Sequence, residues 1–152
     1  IIVMFITVLD KKLRAKMTDQ HEEFDIAGVK IAIVDDAKTI RMMMSHTLKG
    51  MGCVVECAED GYKALSMLRR FKPDIIFLDI TMPELDGYQT CTLIRNAEDT
   101  RNTPVVMLSS SDGIFDIAKG QARGATAHVT KIPPERVLRQ LIHKHTSKRK
   151  AA

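Results

Sequence analysis

Short, mostly apolar runs alternate along the chain with segments of helical spacing. Five runs indicate strands, at residues 29–34, 53–57, 74–79, 105–108 and 127–130. Continuous apolar runs are typical of strands that are covered on both faces of a parallel sheet. The alternation of strands with helices therefore predicts an α/β fold, a parallel sheet with helices on both faces.

Apolar residues at helical spacing predict five helices, at about 38–49, 61–71, 88–96, 114–123 and a final one that begins at Pro133-Pro134. The spacing assigns the buried face of the first helix to Ile40, Met43, Met44, Thr47 and Leu48. The same spacing assigns the buried face of the third helix to Cys91, Leu93 and Ile94.

Three cysteines, Cys53, Cys57 and Cys91, are scattered and form no CxxC pair. This spacing disfavours a metal site or a disulfide. We therefore expect all three to be small buried apolar residues in a reducing compartment.

The 152 residues are enough for one domain, and the net charge of +4 is unevenly distributed. Residues 1–16 carry +3, residues 131–152 carry +6 and the part between them carries −5. The basic ends are thus weak evidence for nucleic-acid binding. We expect an N-terminal extension at 1–27, a domain at 28–146 and a basic C-terminal tail at 147–152.

The N-terminal segment begins with nine apolar residues, which are too few for a transmembrane helix. Basic residues follow this run instead of preceding it, so a signal peptide is also disfavoured. We expect the natural start at Met17, with residues 1–16 not native, and no transmembrane segment. A short amphipathic anchor is the alternative.

Chemically active side chains follow four of the predicted strands. Asp35 and Asp36 follow the first strand, Asp79 the third, Ser109 the fourth and Lys131 the fifth. In an open α/β sheet these strand ends meet at one edge, where ligands bind. Clustered carboxylates repel unless a cation joins them, and hard oxygen ligands suit Mg²⁺. A carboxylate, a metal, a hydroxyl and an amine together can handle a phosphoryl group.

Four motifs in this order resemble the receiver domain of bacterial two-component response regulators: IVDDAKTIR, LDITMPELDGYQ, VVMLSSSD and HVTK. The resemblance extends over about residues 28–145. It implies the flavodoxin-like receiver fold, a doubly wound five-stranded parallel sheet in the order 2-1-3-4-5. Within the family, DGYQTC and VVMLSSSDGIFDIAKG are most similar to the single-domain twitching-motility regulators that serve type IV pili.

The resemblance also implies roles for particular residues. Asp79 would accept a phosphoryl group from a histidine kinase of the chemosensory type. Asp35, Asp36, Asp79 and the backbone carbonyl of Thr81 would bind Mg²⁺. Ser109 would be the switch hydroxyl and Lys131 the phosphate partner.

The family also implies an output. A downstream protein, the pilus machinery being the candidate, would read the surface of the fourth helix, fifth strand and fifth helix. The protein would be cytoplasmic, with no enzymatic activity beyond its own phosphorylation and autodephosphorylation.

Two positions depart from the family pattern. His128 stands where the family usually has Tyr or Phe, so it either packs in that slot or acts as a protonation-sensitive switch. Ile132 stands where the family usually has Pro after the lysine, joined to it by a cis bond. A cis bond before a non-proline residue costs about 2.5–4 kcal/mol, so Lys131–Ile132 is either cis at that cost or trans with the amine placed differently.

Three other functions fit parts of the sequence. An aspartate-based phosphatase usually has a second Asp two residues after the nucleophile, where Thr81 stands here. A DNA-binding regulator, or a membrane-associated one, would depend on the basic tail, because no helix-turn-helix fits after Lys131. An unphosphorylated docking module is disfavoured by the complete set of acidic residues.

Overall fold

The structure, a computed structural model, describes residues 25–110 and 117–150, with side chains to Ser147. Five parallel strands form one sheet in the order β2-β1-β3-β4-β5. Their bounds are β1 Lys30–Val34, β2 Val54–Ala58, β3 Ile75–Asp79, β4 Val105–Ser109 and β5 Ala127–Thr130. The predicted fold class and strand order are confirmed.

Five helices connect and follow the strands: α1 Lys38–Gly50, α2 Gly61–Phe71, α3 Gly87–Asn96, α4 Ile117–Ala122 and α5 Glu135–Lys150. Side-chain caps explain two of the starts. Asp60 accepts a hydrogen bond from the Lys63 amide (2.7 Å), and Asp86 forms a capping box with Gln89. The first part of the predicted fourth helix, residues 114–116, lies outside the described residues.

Both faces of the sheet are buried, which explains the continuous apolar runs. On β3, Ile76 and Leu78 belong to the core cluster with α2 and α3. Ile75 and Phe77 belong to the cluster with α1 and α5. The alternation of side chains along a strand produces this division.

Three predicted core residues are exposed, so those predictions are wrong. Met43 is 50% and Leu93 38% exposed, because the buried stripe of each helix is narrower than the apolar pattern suggests. Cys57 is exposed because it lies on the edge strand β2, whereas Cys53 and Cys91 are buried as expected.

The C-terminal helix is longer than the charge pattern suggests. Thr146 is buried, and its hydroxyl donates to the Ile142 carbonyl. Helix α5 then continues to Lys150, so four residues of the expected tail, 147–150, are helical. Within the described ranges, no helix has both the length and the apolar character that a membrane crossing needs.

Candidate functional site

Three carboxylates lie together at the C-terminal edge of the sheet. Asp35 follows β1, Asp36 comes next, and Asp79 is the last residue of β3, which pairs with β1. One oxygen of each lies within 4.8 Å of the others. Asp35 and Asp79 are buried and Asp36 is exposed. The structure thus brings together the three acids that the strand ends predicted.

Local backbone contacts hold the two buried acids in place. The amide of Asp35 donates to the Ala58 carbonyl (3.1 Å), and its Oδ1 accepts from the Ala37 amide (2.9 Å). At the other strand, the Gly87 amide donates to the Ile80 carbonyl (2.7 Å). A Cβ at Gly87 would overlap the Asp79 carbonyl, so glycine allows α3 to begin directly against the end of β3.

Lys131 joins two of the carboxylates. Its Nζ lies 2.8 Å from Asp35 Oδ2 and 2.9 Å from Asp79 Oδ1. Its amide donates to the Ser109 carbonyl (2.7 Å), which ties the end of β5 to the end of β4. The Lys131–Ile132 bond is cis, the first of the two alternatives that the sequence left open.

Burial is the largest influence on Asp79 and raises its pKa from 3.8 to about 7. The hydrogen bond from Lys131 opposes this increase, whereas the charge of Asp35 and a hydrogen bond with Asp36 add to it. For Lys131, burial lowers the pKa, but the hydrogen bonds with Asp35 and Asp79 and the charges of these two groups together outweigh burial and raise it. Burial therefore disfavours the ionised form of Asp79.

The donor set fits a hard divalent cation. Asp79 Oδ2 and Ser109 Oγ are buried and receive no hydrogen bond from the described residues. Carboxylate oxygens around a partly open site are the ligands that Mg²⁺ prefers, and Mg²⁺ retains several waters. The Thr81 amide donates to Asp79 Oδ1 (3.2 Å), so this residue also lies beside the cluster.

His128 lies on β5 under helix α4. A Cβ at Gly120 would overlap the His128 ring, so the absence of a side chain at Gly120 makes room for the imidazole. Burial lowers the pKa of His128. This contact is consistent with the packing alternative, and it is one that the sequence did not predict.

The sequence also missed Arg41. Its Nη1 donates to the carbonyl of Asp35 at 2.7 Å. Arg41 is the fourth residue of α1, whose first residue is the cation Lys38, so the helix dipole does not distinguish Arg41 in the sequence. The contact is visible only in the folded chain.

Comparisons with known proteins agree with this geometry. The family model for the response regulator receiver domain matches residues 31–143. Protein PilG of Pseudomonas aeruginosa is 51% identical over 104 residues, which are 68% of this chain and 77% of PilG. The chain spans less than half the length of two other curated relatives, the probable transcriptional regulator ycf27 of Guillardia theta and the response regulator MprA of Mycobacterium ulcerans.

Solved structures show the same fold. The Vibrio cholerae chemotaxis protein CheY4 is 32% identical with a TM-score of 0.72, over 78% of this chain and 99% of that one. The receiver domain of sensor histidine kinase PA1611 from Pseudomonas aeruginosa is 25% identical with a TM-score of 0.72, over 80% of this chain and 99% of that one. The PA1611 domain holds a magnesium ion in its active site cleft.

Proposed function

The chain belongs to the response regulator receiver domain family, and on this premise we propose that Asp79 accepts a phosphoryl group from a histidine kinase in a Mg²⁺-dependent reaction. The observation that carries the proposal is the contact of Lys131 with both Asp35 and Asp79 in a cluster completed by Asp36. The domain that does this is residues 28–146, and the flanking segments 1–27 and 147–152 are not needed for the chemistry.

Asp79 is the nucleophile in this scheme. One of its carboxylate oxygens forms a bond to phosphorus while the bond from phosphorus to the imidazole nitrogen of the donor breaks. The nitrogen keeps the electron pair and takes up a proton. Because burial favours the protonated acid, the reaction needs a cation that keeps Asp79 ionised.

The remaining groups offset the charge of the phosphoryl oxygens. Mg²⁺ bound by Asp35, Asp36, Asp79 and the Thr81 carbonyl would supply electrostatic stabilisation of those oxygens. The Lys131 ammonium already lies between Asp35 and Asp79, from where it can turn to a phosphoryl oxygen. PA1611, whose receiver domain holds magnesium in the equivalent fold, supports this assignment.

Ser109 would convert phosphorylation into a signal. Its buried hydroxyl can donate to a phosphoryl oxygen on Asp79, which favours an inward position of the hydroxyl. The surface of α4, β5 and α5 then changes, with His128 under α4 as a candidate participant. A phosphoryl group biases such an equilibrium only through contacts that differ between the two states.

The output partner is a protein, and the pilus machinery is the candidate. This part rests on the resemblance of DGYQTC and VVMLSSSDGIFDIAKG to twitching-motility regulators, and the similarity to PilG supports it. The same resemblance favours a chemosensory kinase as the phosphodonor, a cytoplasmic location and a role as a signalling module with no other substrate.

Mass spectrometry tests the acceptor. The protein is incubated with Mg²⁺ and acetyl phosphate, and the modified residue is mapped. We expect one phosphoryl group on Asp79, none without Mg²⁺ and none on Asp79→Asn. Asp99→Asn, which changes an exposed aspartate outside the cluster, should be labelled like the unaltered protein. A phosphoryl group on another residue would overturn the assignment.

A further inference from the structure

Arg41 is a cation of α1 whose side chain contacts the acidic cluster. It is the fourth residue of the helix, and its own amide donates to the Ala37 carbonyl (3.1 Å). Its Nη1 donates to the carbonyl of Asp35, which lies just before the helix begins, at 2.7 Å.

This contact completes a set that fixes the Asp35 backbone. The Asp35 amide donates to the Ala58 carbonyl, its side chain accepts from the Ala37 amide, and its carbonyl accepts from Arg41. The carbonyl of Asp35 and the amide of Asp36 belong to one rigid peptide plane. Holding that carbonyl therefore fixes the direction in which the chain enters Asp36.

Asp36 is the member of the acidic cluster that most needs such support. Asp35 and Asp79 are buried, whereas Asp36 is exposed. An exposed side chain retains more rotamers and gains less from packing. Its placement within 4.8 Å of the other carboxylates therefore depends on the backbone below it.

The two cations at the cluster act on different atoms. Lys131 contacts the carboxylate oxygens of Asp35 and Asp79, which are the atoms a metal would bind. Arg41 contacts only a main-chain carbonyl of this group, so it leaves those oxygens available. Lys131 is thus placed to compete with a metal, and Arg41 is placed to orient the ligands.

We propose that Arg41 is a positioning residue for Mg²⁺, which acts by holding the Asp35–Asp36 peptide so that Asp36 faces the metal. The proposal rests on the proposed function, because it needs a Mg²⁺ site at this cluster. Residues that orient metal ligands typically contribute 10- to 100-fold to affinity.

Charge and positioning predict opposite results for Arg41→Met, which keeps the apolar stem and removes the guanidinium. Loss of a nearby positive charge should by itself tighten the binding of a divalent cation. Loss of the hydrogen bond should weaken it, by about tenfold. The sign of the change therefore separates the two effects.

Lys63→Met is the matched control. Lys63 and Arg41 line the same groove beside β2, but Lys63 pairs with Glu59 instead of the Asp35 backbone. Its removal takes away the same charge without touching the peptide. We expect unchanged or slightly tighter Mg²⁺ binding in this variant.

The experiment measures the Mg²⁺ dissociation constant by isothermal titration calorimetry for the full chain and each variant, with melting in EDTA as the stability readout. Arg41→Met should bind about tenfold more weakly while Lys63→Met does not. Arg41→Gln gives the same comparison if the methionine variant does not fold. Equal or tighter binding by the Arg41 variant would overturn the proposal.

The unaltered protein separates this proposal from the function on which it rests. If it binds no Mg²⁺ or is not labelled at Asp79, the proposed function fails. If it binds Mg²⁺ and is labelled, but the Arg41 variant has the same dissociation constant, only the role of Arg41 fails. If the melting temperature of the Arg41 variant in EDTA is lower but its Mg²⁺ dissociation constant is unchanged, Arg41 has only a structural role.

Discussion

Replacing Asp79 by Asn should stabilise the metal-free protein, and the gain should grow with pH. Asp79 is 1% exposed, and burial is the main reason why its pKa is raised to about 7. The folded state therefore retains a proton that the unfolded chain loses near its ordinary pKa of 3.8. Asn cannot ionise, so Asp79→Asn removes the cost of burying a charge.

The sign follows from proton linkage. Because the folded pKa lies above the unfolded one, the stabilising contribution of the protonated acid is complete below pH 3.8 and decreases as pH rises towards 7. The full difference corresponds to about 4 kcal/mol at ~1.36 kcal/mol per pH unit. Between pH 5 and pH 8 the loss of unfolding free energy is about 2–3 kcal/mol.

Urea denaturation in EDTA at pH 5, 6, 7 and 8 measures this difference. The unfolding free energy of Asp79→Asn minus that of the unaltered protein should increase by about 2–3 kcal/mol over the range. The exposed Asp99→Asn is the control and should show no such trend. Saturating Mg²⁺ should reduce the difference at pH 8, because its binding stabilises the folded unaltered protein by about 2.7 kcal/mol at 100 times its dissociation constant.

A difference that does not vary with pH would refute the reasoning. It would mean that Lys131 keeps Asp79 ionised in the folded state, so that burial does not dominate its titration. Lower stability of Asp79→Asn than of the unaltered protein at pH 8 would have the same meaning. In either case the Lys131 contact at 2.9 Å would outweigh the burial of the carboxylate.

Two further changes test the neighbouring contacts. Lys131→Met leaves buried Asp35 and Asp79 without their cation, so it should destabilise the metal-free protein by about 3–5 kcal/mol at pH 8 and by less at pH 5. Urea denaturation at both pH values measures the two losses, and equal losses would contradict this prediction. Gly120→Ala should lower the unfolding free energy by about 1–3 kcal/mol, because the added Cβ overlaps His128. The loss should be much smaller in a His128→Ala background. Equal losses in both backgrounds would show that the overlap with His128 is not the cause.

Much of the fold and of the acidic cluster was predictable, because each depends on local pattern and general topology. The run from Ile75 to Leu78 is apolar without interruption, since its side chains alternate between two core clusters. Asp79 follows it directly, and the strand order makes β1 its neighbour. The rule that strand ends share one edge then places Asp35 beside it.

Exposure was less predictable, because it depends on what covers an element. Helical spacing gives the direction of the buried face but not its width, so the apolar pattern includes Met43 and Leu93, which are exposed. Cys57 has the apolar character of a core residue, but it is exposed because β2 is the edge strand of the sheet. Thr146 shows the reverse case. The basic residues around it suggest that it is exposed, but it is buried and lies in a helix that continues to Lys150.

The contacts that tune the site could not have been read from the sequence. Gly120 and His128 meet only in the folded chain, and neither residue type signals the other. Arg41 and Asp35 are six residues apart, but Lys38 is a cation still nearer the helix N-terminus, so the helix dipole alone does not identify Arg41. The fold brings the guanidinium to the carbonyl of Asp35, and the measurement of Mg²⁺ affinity tests what this contact does for the neighbouring Asp36.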